Sequence, residues 1–414
     1  MQTTIKTLTR WITACIRIAV LTVFILPFAA CSSSDDPAPE KNDDTVFTLR
    51  IVTQKSSSTR AWVSDDRIGN EAENRINIQD KDFRVYLFDR EEKYQQLING
   101  YMEVVENTTE TIYILKGYIQ RHLVTFNASG VTYFTLLVLA NWREWGAFYP
   151  EPAAGTLLSS VMADCNQTFS IDGSAWTPCD ASNPKKGIPM FGYHRFTMSK
   201  AQAEKSTEES PHQFNVSNGN DDLYLLRSMA KIEVVDAMEK WEEGDEYPYI
   251  QSVSTDSYMP EGRLVPHSKV WAGNGKQVSG ISLLSGTGMT TAALSFAKTK
   301  DYDPNGVRIL DQTFFNRDAF VAYLPEQDYR GLTEGPMMTV KVVDHNDATK
   351  TGEKHLTYKL DLSKVINFRE IESEPELRRN HVYRLELSIA PTELVVHCKI
   401  KNWEPGGIAS GALK

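Results

Sequence analysis

Tyr133-Phe134-Thr135-Leu136-Leu137-Val138-Leu139-Ala140-Asn141 carries apolar side chains at odd and even positions alike. Successive side chains of a strand point to opposite faces, so this run predicts a central strand covered on both sides. Its neighbours read as strands with one buried face. Phe47, Leu49 and Ile51 alternate with Thr48 and Arg50 over residues 45–52, and Tyr383, Leu385 and Leu387 alternate with Arg384, Glu386 and Ser388. Further strands are expected at 83–89, 111–115, 123–126, 250–254, 319–324, 338–343, 355–362, 382–389 and 394–400, with another closing the run 223–235. Short helical turns are expected at 71–76 and around 157–162, and long loops across 145–187, which is rich in Pro, Gly, Ala, Ser and Asp. Long helical periods are scarce. The pattern predicts a mainly β chain built as two antiparallel β-sandwiches in series. The polar stretch 199–221 is the expected junction, placing one sandwich in 45–219 and the other in 220–414.

The N-terminus reads as an export signal. Lys6, Arg10 and Arg17 precede the apolar run Ile18 to Leu26, which is shorter than the roughly 20 residues a membrane span needs. Ala29-Ala30-Cys31 then resembles a bacterial lipobox, so residues 1–30 are expected to be a lipoprotein signal peptide and Cys31 the acylated first residue. Residues 31–44 hold almost nothing apolar and read as a flexible tether. Ser34-Asp35-Asp36 looks like the acidic export signal of surface lipoproteins in Gram-negative anaerobes. After the first strand, Gln54-Lys55-Ser56-Ser57-Ser58-Thr59-Arg60-Ala61 is polar and small, as protease-sensitive loops are. Arg60 is the expected target of a trypsin-like enzyme, with Ala61 the new N-terminus.

The chain has 414 residues, a formal net charge of −10 and a pI of about 5.4. No basic stripe runs along it, so no nucleic-acid partner is expected. Export permits disulfides. Cys15 leaves with the signal and Cys31 takes lipid. Cys165 and Cys179 share a loop-like region and are candidates for pairing, whereas Cys398 sits in an apolar strand pattern and reads as a buried thiol. Asp301-Tyr302-Asp303-Pro304-Asn305-Gly306 resembles the start of a calcium loop, but its twelfth position is Gln312 rather than a bidentate Glu, so a hairpin loop is the better reading. Gly273-Asn274-Gly275-Lys276 lacks phosphate-loop spacing. No Gly-x-Ser-x-Gly elbow or His-Glu-x-x-His pair occurs, and the eight histidines are scattered. No catalytic residues, metal or cofactor are expected. Trp142, Trp145, Trp176 and Trp271 would favour a surface glycan-binding lipoprotein if they gathered on one face; core positions are the plainer expectation.

The lipobox, Thr59-Arg60-Ala61, Glu73-Asn74-Arg75-Ile76 and Val85-Tyr86-Leu87-Phe88-Asp89 come in the order seen in fimbrillins, the type V pilus subunits of Gram-negative anaerobes of gut and mouth. Leu136 to Asn141, Ile188-Pro189-Met190, Arg227-Ser228-Met229-Ala230-Lys231-Ile232-Glu233-Val234, Tyr323-Leu324-Pro325-Glu326 and Arg379-Asn380-His381-Val382-Tyr383, followed by Trp403, extend the resemblance over nearly the whole chain. It implies two transthyretin-like sandwiches, export to the outer membrane as a lipoprotein, and cleavage after Arg60 by an arginine-specific protease. Cleavage would free the first strand, with Phe47, Leu49 and Ile51 as the plugs that another fimbrial subunit's strand replaces. Either Leu394 to Ile400 or the tail Ile408 to Leu413 would serve as that donor. Anchor subunits of the same family keep their lipid and are not cleaved, so the place within the pilus stays open between a cleaved stalk subunit and an uncleaved anchor or tip subunit.

Overall fold

The structure is a computed structural model. It describes residues 44–53, 71–78, 82–106, 111–145, 151–164, 168–171, 187–215, 222–236, 249–264, 289–290, 292–300, 318–329, 332–344, 354–366, 376–389 and 394–402.

In chain order the first part holds β1 (Asp44–Val52), β2 (Phe83–Phe88), β3 (Tyr94–Leu97), β4 (Asn99–Glu106), β5 (Thr111–Gln120), β6 (Val131–Ala140), α1 (Leu158–Asp164), β7 (Thr168–Ser170), β8 (Met190–Ser199), α2 (Lys200–Lys205), β9 (His212–Phe214), β10 (Leu223–Tyr224) and β11 (Leu226–Arg227). One sheet runs β10-β1-β5-β4, with β9 also paired to β1; the sheet facing it runs β11-β8-β6-β2-β3. Phe47, Leu49 and Ile51 of β1 meet Val85 and Leu87 of β2 and Leu136, Val138 and Ala140 of β6 in the core between them. Leu137 and Leu139 point the other way, into a second core with Trp142, Trp145 and Met162. The two-faced apolar run at 133–141 is therefore the middle strand of its sheet, buried on both sides.

The later part holds β12 (Met229–Asp236), β13 (Tyr249–Thr255), β14 (Glu261–Arg263), β15 (Leu294–Ser295), β16 (Ala297–Lys300), β17 (Asp318–Pro325), β18 (Gln327–Asp328), β19 (Met337–Asp344), β20 (Lys354–Asp361), α3 (Leu362–Ile366), β21 (Glu376–Leu377), β22 (His381–Ile389) and β23 (Leu394–Asn402). Its sheets run β16-β17-β12-β22-β23 and β15-β13-β19-β20. Ile232, Val234, Phe320, Leu385 and Leu387 share a core with Val253, Met338 and Val340. A short ladder, β7 with β14, ties the two parts together. The chain is mainly β and most ladders are antiparallel. The pairings β1·β9, β1·β10 and β12·β22 are parallel.

Four local expectations change. Residues 123–126 are not a strand: β5 runs on to Gln120, Arg121–Leu123 form a 3-10 turn, and the Val124 amide closes it on the Arg121 carbonyl at 3.1 Å. Val124 and Phe126 still pack against the first core, which explains their apolar pattern without any pairing. The strand expected at 355–362 stops at Asp361, whose carboxylate accepts from the Ser363 amide at 3.0 Å and so starts α3. The polar stretch 199–221 holds α2 and β9. Ser199 and Gln202 close a reciprocal capping box on α2. Residues 223–227, expected in the second sandwich, complete the first two sheets through β10 and β11.

Candidate functional site

β1 has a hydrogen-bonded neighbour on each edge. It pairs antiparallel with β5 along its whole length, from Asp44 opposite Gln120 to Val52 opposite Ile112. Its other edge is shared by β9, opposite Phe47 to Leu49, and β10, opposite Ile51 and Val52. Ser206 Oγ donates to the Val46 carbonyl, and the Leu225 amide donates to the Val52 carbonyl at 3.0 Å. Phe47, Leu49 and Ile51 are at most 1% exposed. Burying one such side chain stabilises a fold by about 1.5–3 kcal/mol, so this strand is part of the core and not a trimming.

The Phe47 ring lies 5.5 Å from that of Phe214 on β9. Phe214 in turn meets Phe134 of β6 at 5.3 Å and Phe196 of β8 at 5.0 Å. Under the Phe47 ring sits Gly117 of β5, where a Cβ would stand 2.6 Å from Phe47 Cζ. Only glycine leaves room for the ring at that point. On the opposite face of β1, Arg50 Nη1 lies 3.4 Å from an Asp222 carboxylate oxygen.

The chain around the expected protease loop is fixed at both described ends. Thr53, next to the end of β1, gives its carbonyl to Arg227 Nη2 at 3.3 Å. The same guanidinium takes the Glu73 carbonyl at 3.2 Å, Asn74 Oδ1, and Asn380 Oδ1 at 3.2 Å. The Ile76 amide donates to Tyr113 Oη at 2.8 Å, and the Asn77 amide to Asn141 Oδ1 at 2.9 Å. Asn141 ends β6 in a left-handed conformation, φ 57°, and its Nδ2 donates to the Arg75 carbonyl at 2.6 Å and the Ile188 carbonyl at 2.9 Å. Several strings that carried the family resemblance thus meet here, because each supplies a buried polar side chain needing a partner from another string.

Lys231 sits between two buried carboxylates, 2.9 Å from Glu73 Oε1 and 2.7 Å from Glu233 Oε1. Tyr323 Oη donates to Glu73, and Arg384 Nη1 lies 3.4 Å from Glu233 Oε2. Burial pushes the Glu73 carboxyl above its usual range, despite Lys231 and Tyr323. Burial pushes Glu233 the same way, but Lys231 and Arg384 together hold it below its usual range. The two residues therefore act in opposite directions. Glu233 adds stability that is present above the unfolded carboxyl pKa and is lost as pH falls through its lower folded value. Glu73 costs stability when ionised, and that cost disappears as pH falls through its raised folded value. Glu233→Gln is expected to destabilise the chain at pH 7 by about 2 kcal/mol, and Glu73→Gln by clearly less. Thermal unfolding at pH 7 and pH 5 checks this, and equal losses at pH 7 would contradict it.

A second buried ion pair lies nearby. Arg379 Nε donates to Glu326 Oε2 at 2.7 Å while its Nη2 takes the other carboxylate oxygen, and its terminal nitrogens also reach the Leu264 and Arg263 carbonyls. Both residues belong to the resemblance strings.

Cys31, Arg60, Ala61, Cys165, Cys179, the 301–306 loop, Trp176, Trp271 and the tail from Ile408 to Leu413 lie outside the described residues. Trp142 and Trp145 are buried, and Trp145 Nε1 donates to the Gly187 carbonyl at 2.8 Å. Those two offer no sugar-stacking face. Leu394 to Ile400 belongs to β23, the edge strand paired to β22 over its length, and Cys398 is half-buried there against the core. Among the described residues no cluster of His, Cys, Asp and Glu fits a metal ion, and no helix is long and apolar enough to cross a membrane. Gly117, Phe134, Phe196 and Phe214 line the groove although no motif marks them for that role. The resemblance strings did mark Arg227 and Glu73.

No family model matches this sequence, and no curated protein matches it. Among solved structures, the chain is similar to the tip fimbrial protein Mfa3 from Porphyromonas gingivalis with a C-terminal truncation, at 12% identity and a TM-score of 0.44, over 87% of this chain and 100% of that one. It is also similar to a fimbrial assembly protein from Parabacteroides distasonis, at 14% identity and a TM-score of 0.41, over 86% of this chain and 99% of that one.

Proposed function

We propose that this chain is a non-enzymatic structural subunit of a fimbrium that supports adhesion at the cell surface. In this reading it is exported as a lipoprotein acylated at Cys31 and held at the outer membrane. An arginine-specific protease cuts between Arg60 and Ala61, β1 leaves, and a strand of a neighbouring subunit takes its place. The two sheet pairs are then two transthyretin-like domains, and Cys165 and Cys179 form a disulfide in the first. The observation that carries the reading is β1 itself. A nine-residue core strand, bonded on both edges, precedes in sequence the segment that bears Arg60. A cut there severs the covalent link between a folded sandwich and one of its own core strands. The vacated groove would expose apolar pockets and unpaired backbone groups, which strand addition satisfies.

The test is intact mass and N-terminal sequencing of protein recovered from the cell surface. The expected start in the final assembly is Ala61. An acylated Cys31 start in that assembly would overturn cleavage and favour an anchor subunit, which keeps β1 in place.

A further inference from the structure

We propose that the groove beneath β1 selects its incoming strand by an aromatic ring at the position now held by Phe47, followed by aliphatic side chains two and four residues later. This rests on strand exchange as proposed above. The ring that meets Phe47, Phe214, does not belong to β1, and it packs in turn on two rings behind it. Phe214 comes from β9, Phe134 from β6 and Phe196 from β8, with centroids 5.0 to 6.3 Å apart. Phe134 and Phe196 lie on β6 and β8, whose ladders do not include β1, and they back Phe214, so an aromatic wall remains to receive a ring when β1 goes. The floor of the groove here is Gly117 on β5, where an added Cβ would stand 2.6 Å from Phe47 Cζ and 2.7 Å from Ile98 Cγ2. The groove is therefore cut deeper than an aliphatic side chain fills, and an unfilled part of it forfeits contacts outright. The next inward positions, Leu49 and Ile51, face Leu115 and Tyr113 across the ladder with β5. On the outer face Asp222 waits for a basic residue three positions after the ring, where Arg50 now sits. That pair is half-exposed and fixes register more than it adds affinity. The preferred occupant is an extended segment of another chain reading aromatic-x-aliphatic-basic-aliphatic, antiparallel to β5.

The test uses the full chain nicked by an arginine-specific protease and incubated with labelled synthetic peptides of the 44–53 sequence. Uptake is followed by fluorescence anisotropy and native mass. The parent peptide is expected to be taken up. The Phe47→Leu peptide should bind about tenfold more weakly, and the Phe47→Ala peptide at least about a hundredfold more weakly. A Gly117→Ala chain should narrow or reverse the preference for Phe over Leu, an exchange of specificity that general misfolding does not produce. Uptake of the Leu peptide within about threefold of the parent would overturn the aromatic selection and leave strand exchange standing. No uptake of the parent peptide would overturn strand exchange and this inference with it.

Discussion

The intact Phe47→Ala chain is expected to be less stable than its parent by about 4 kcal/mol, one of the larger losses any single substitution in it should give. The ring is fully buried and touches elements from both faces of the first core. Truncation removes the transfer free energy of the ring and leaves a cavity bounded by β5, β6, β8 and β9. β5, β6 and β8 are held in ladders with other strands and β9 by its ladder with β1, so they cannot close the space cheaply. Thr48, the next residue along β1, points outward and is only partly buried, so Thr48→Ala should change stability by less than about 0.5 kcal/mol. Urea denaturation of both variants reads the contrast. Similar midpoints for the two would mean that β1 contributes its backbone to the sheet and little to the core.

Arg379→Ala is expected to cost about 3–5 kcal/mol, because it leaves the Glu326 carboxylate buried without its counter-charge. The substitution also strips the Leu264 and Arg263 carbonyls of a donor. Arg379→Lys should not restore the loss. An ammonium is a point charge and cannot serve two carboxylate oxygens and two carbonyls in the planar fork that the guanidinium makes. Glu326→Gln keeps an acceptor and should fall between. Thermal unfolding of the three variants tests the order, with a drop of roughly 10 °C expected for Arg379→Ala. Full rescue by lysine would show that charge alone holds this junction.

Much of the fold could be read from apolar periodicity. The two-faced run at 133–141 and the alternation at 45–52 each report how many sides of a strand are covered, and burial follows that report closely. What escaped is of three kinds. β3 and β4 are edge strands without apolar alternation; in β4 only Met102 is buried, while Tyr101, Val104 and Val105 face solvent. β9, β10 and β11 are two or three residues long and gain their strand character only by pairing with β1 and β8, which lie far away in sequence. Arg227, Lys231, Glu233 and Arg379 look solvent-facing by residue type yet are buried, because each finds its opposite charge or carbonyl on a distant segment. No local window contains that information. The groove was half legible: Phe47, Leu49 and Ile51 name its contents, whereas its walls come from four other strands. Ser199-x-x-Gln202 was a readable helix start that passed unnoticed inside a polar stretch.

The way β1 is bonded has a mechanical consequence. A strand held on both edges along its length resists a pull along its axis in shear. Its ladder bonds lie across the strand and are loaded together, whereas a strand peeled from one end breaks them in turn. Any segment that occupies this slot in the same register inherits that loading geometry. A fibre of such joints would pass tension through several hydrogen bonds at once at every link. The weakest point under flow would then lie elsewhere, in segments without a partner on each side.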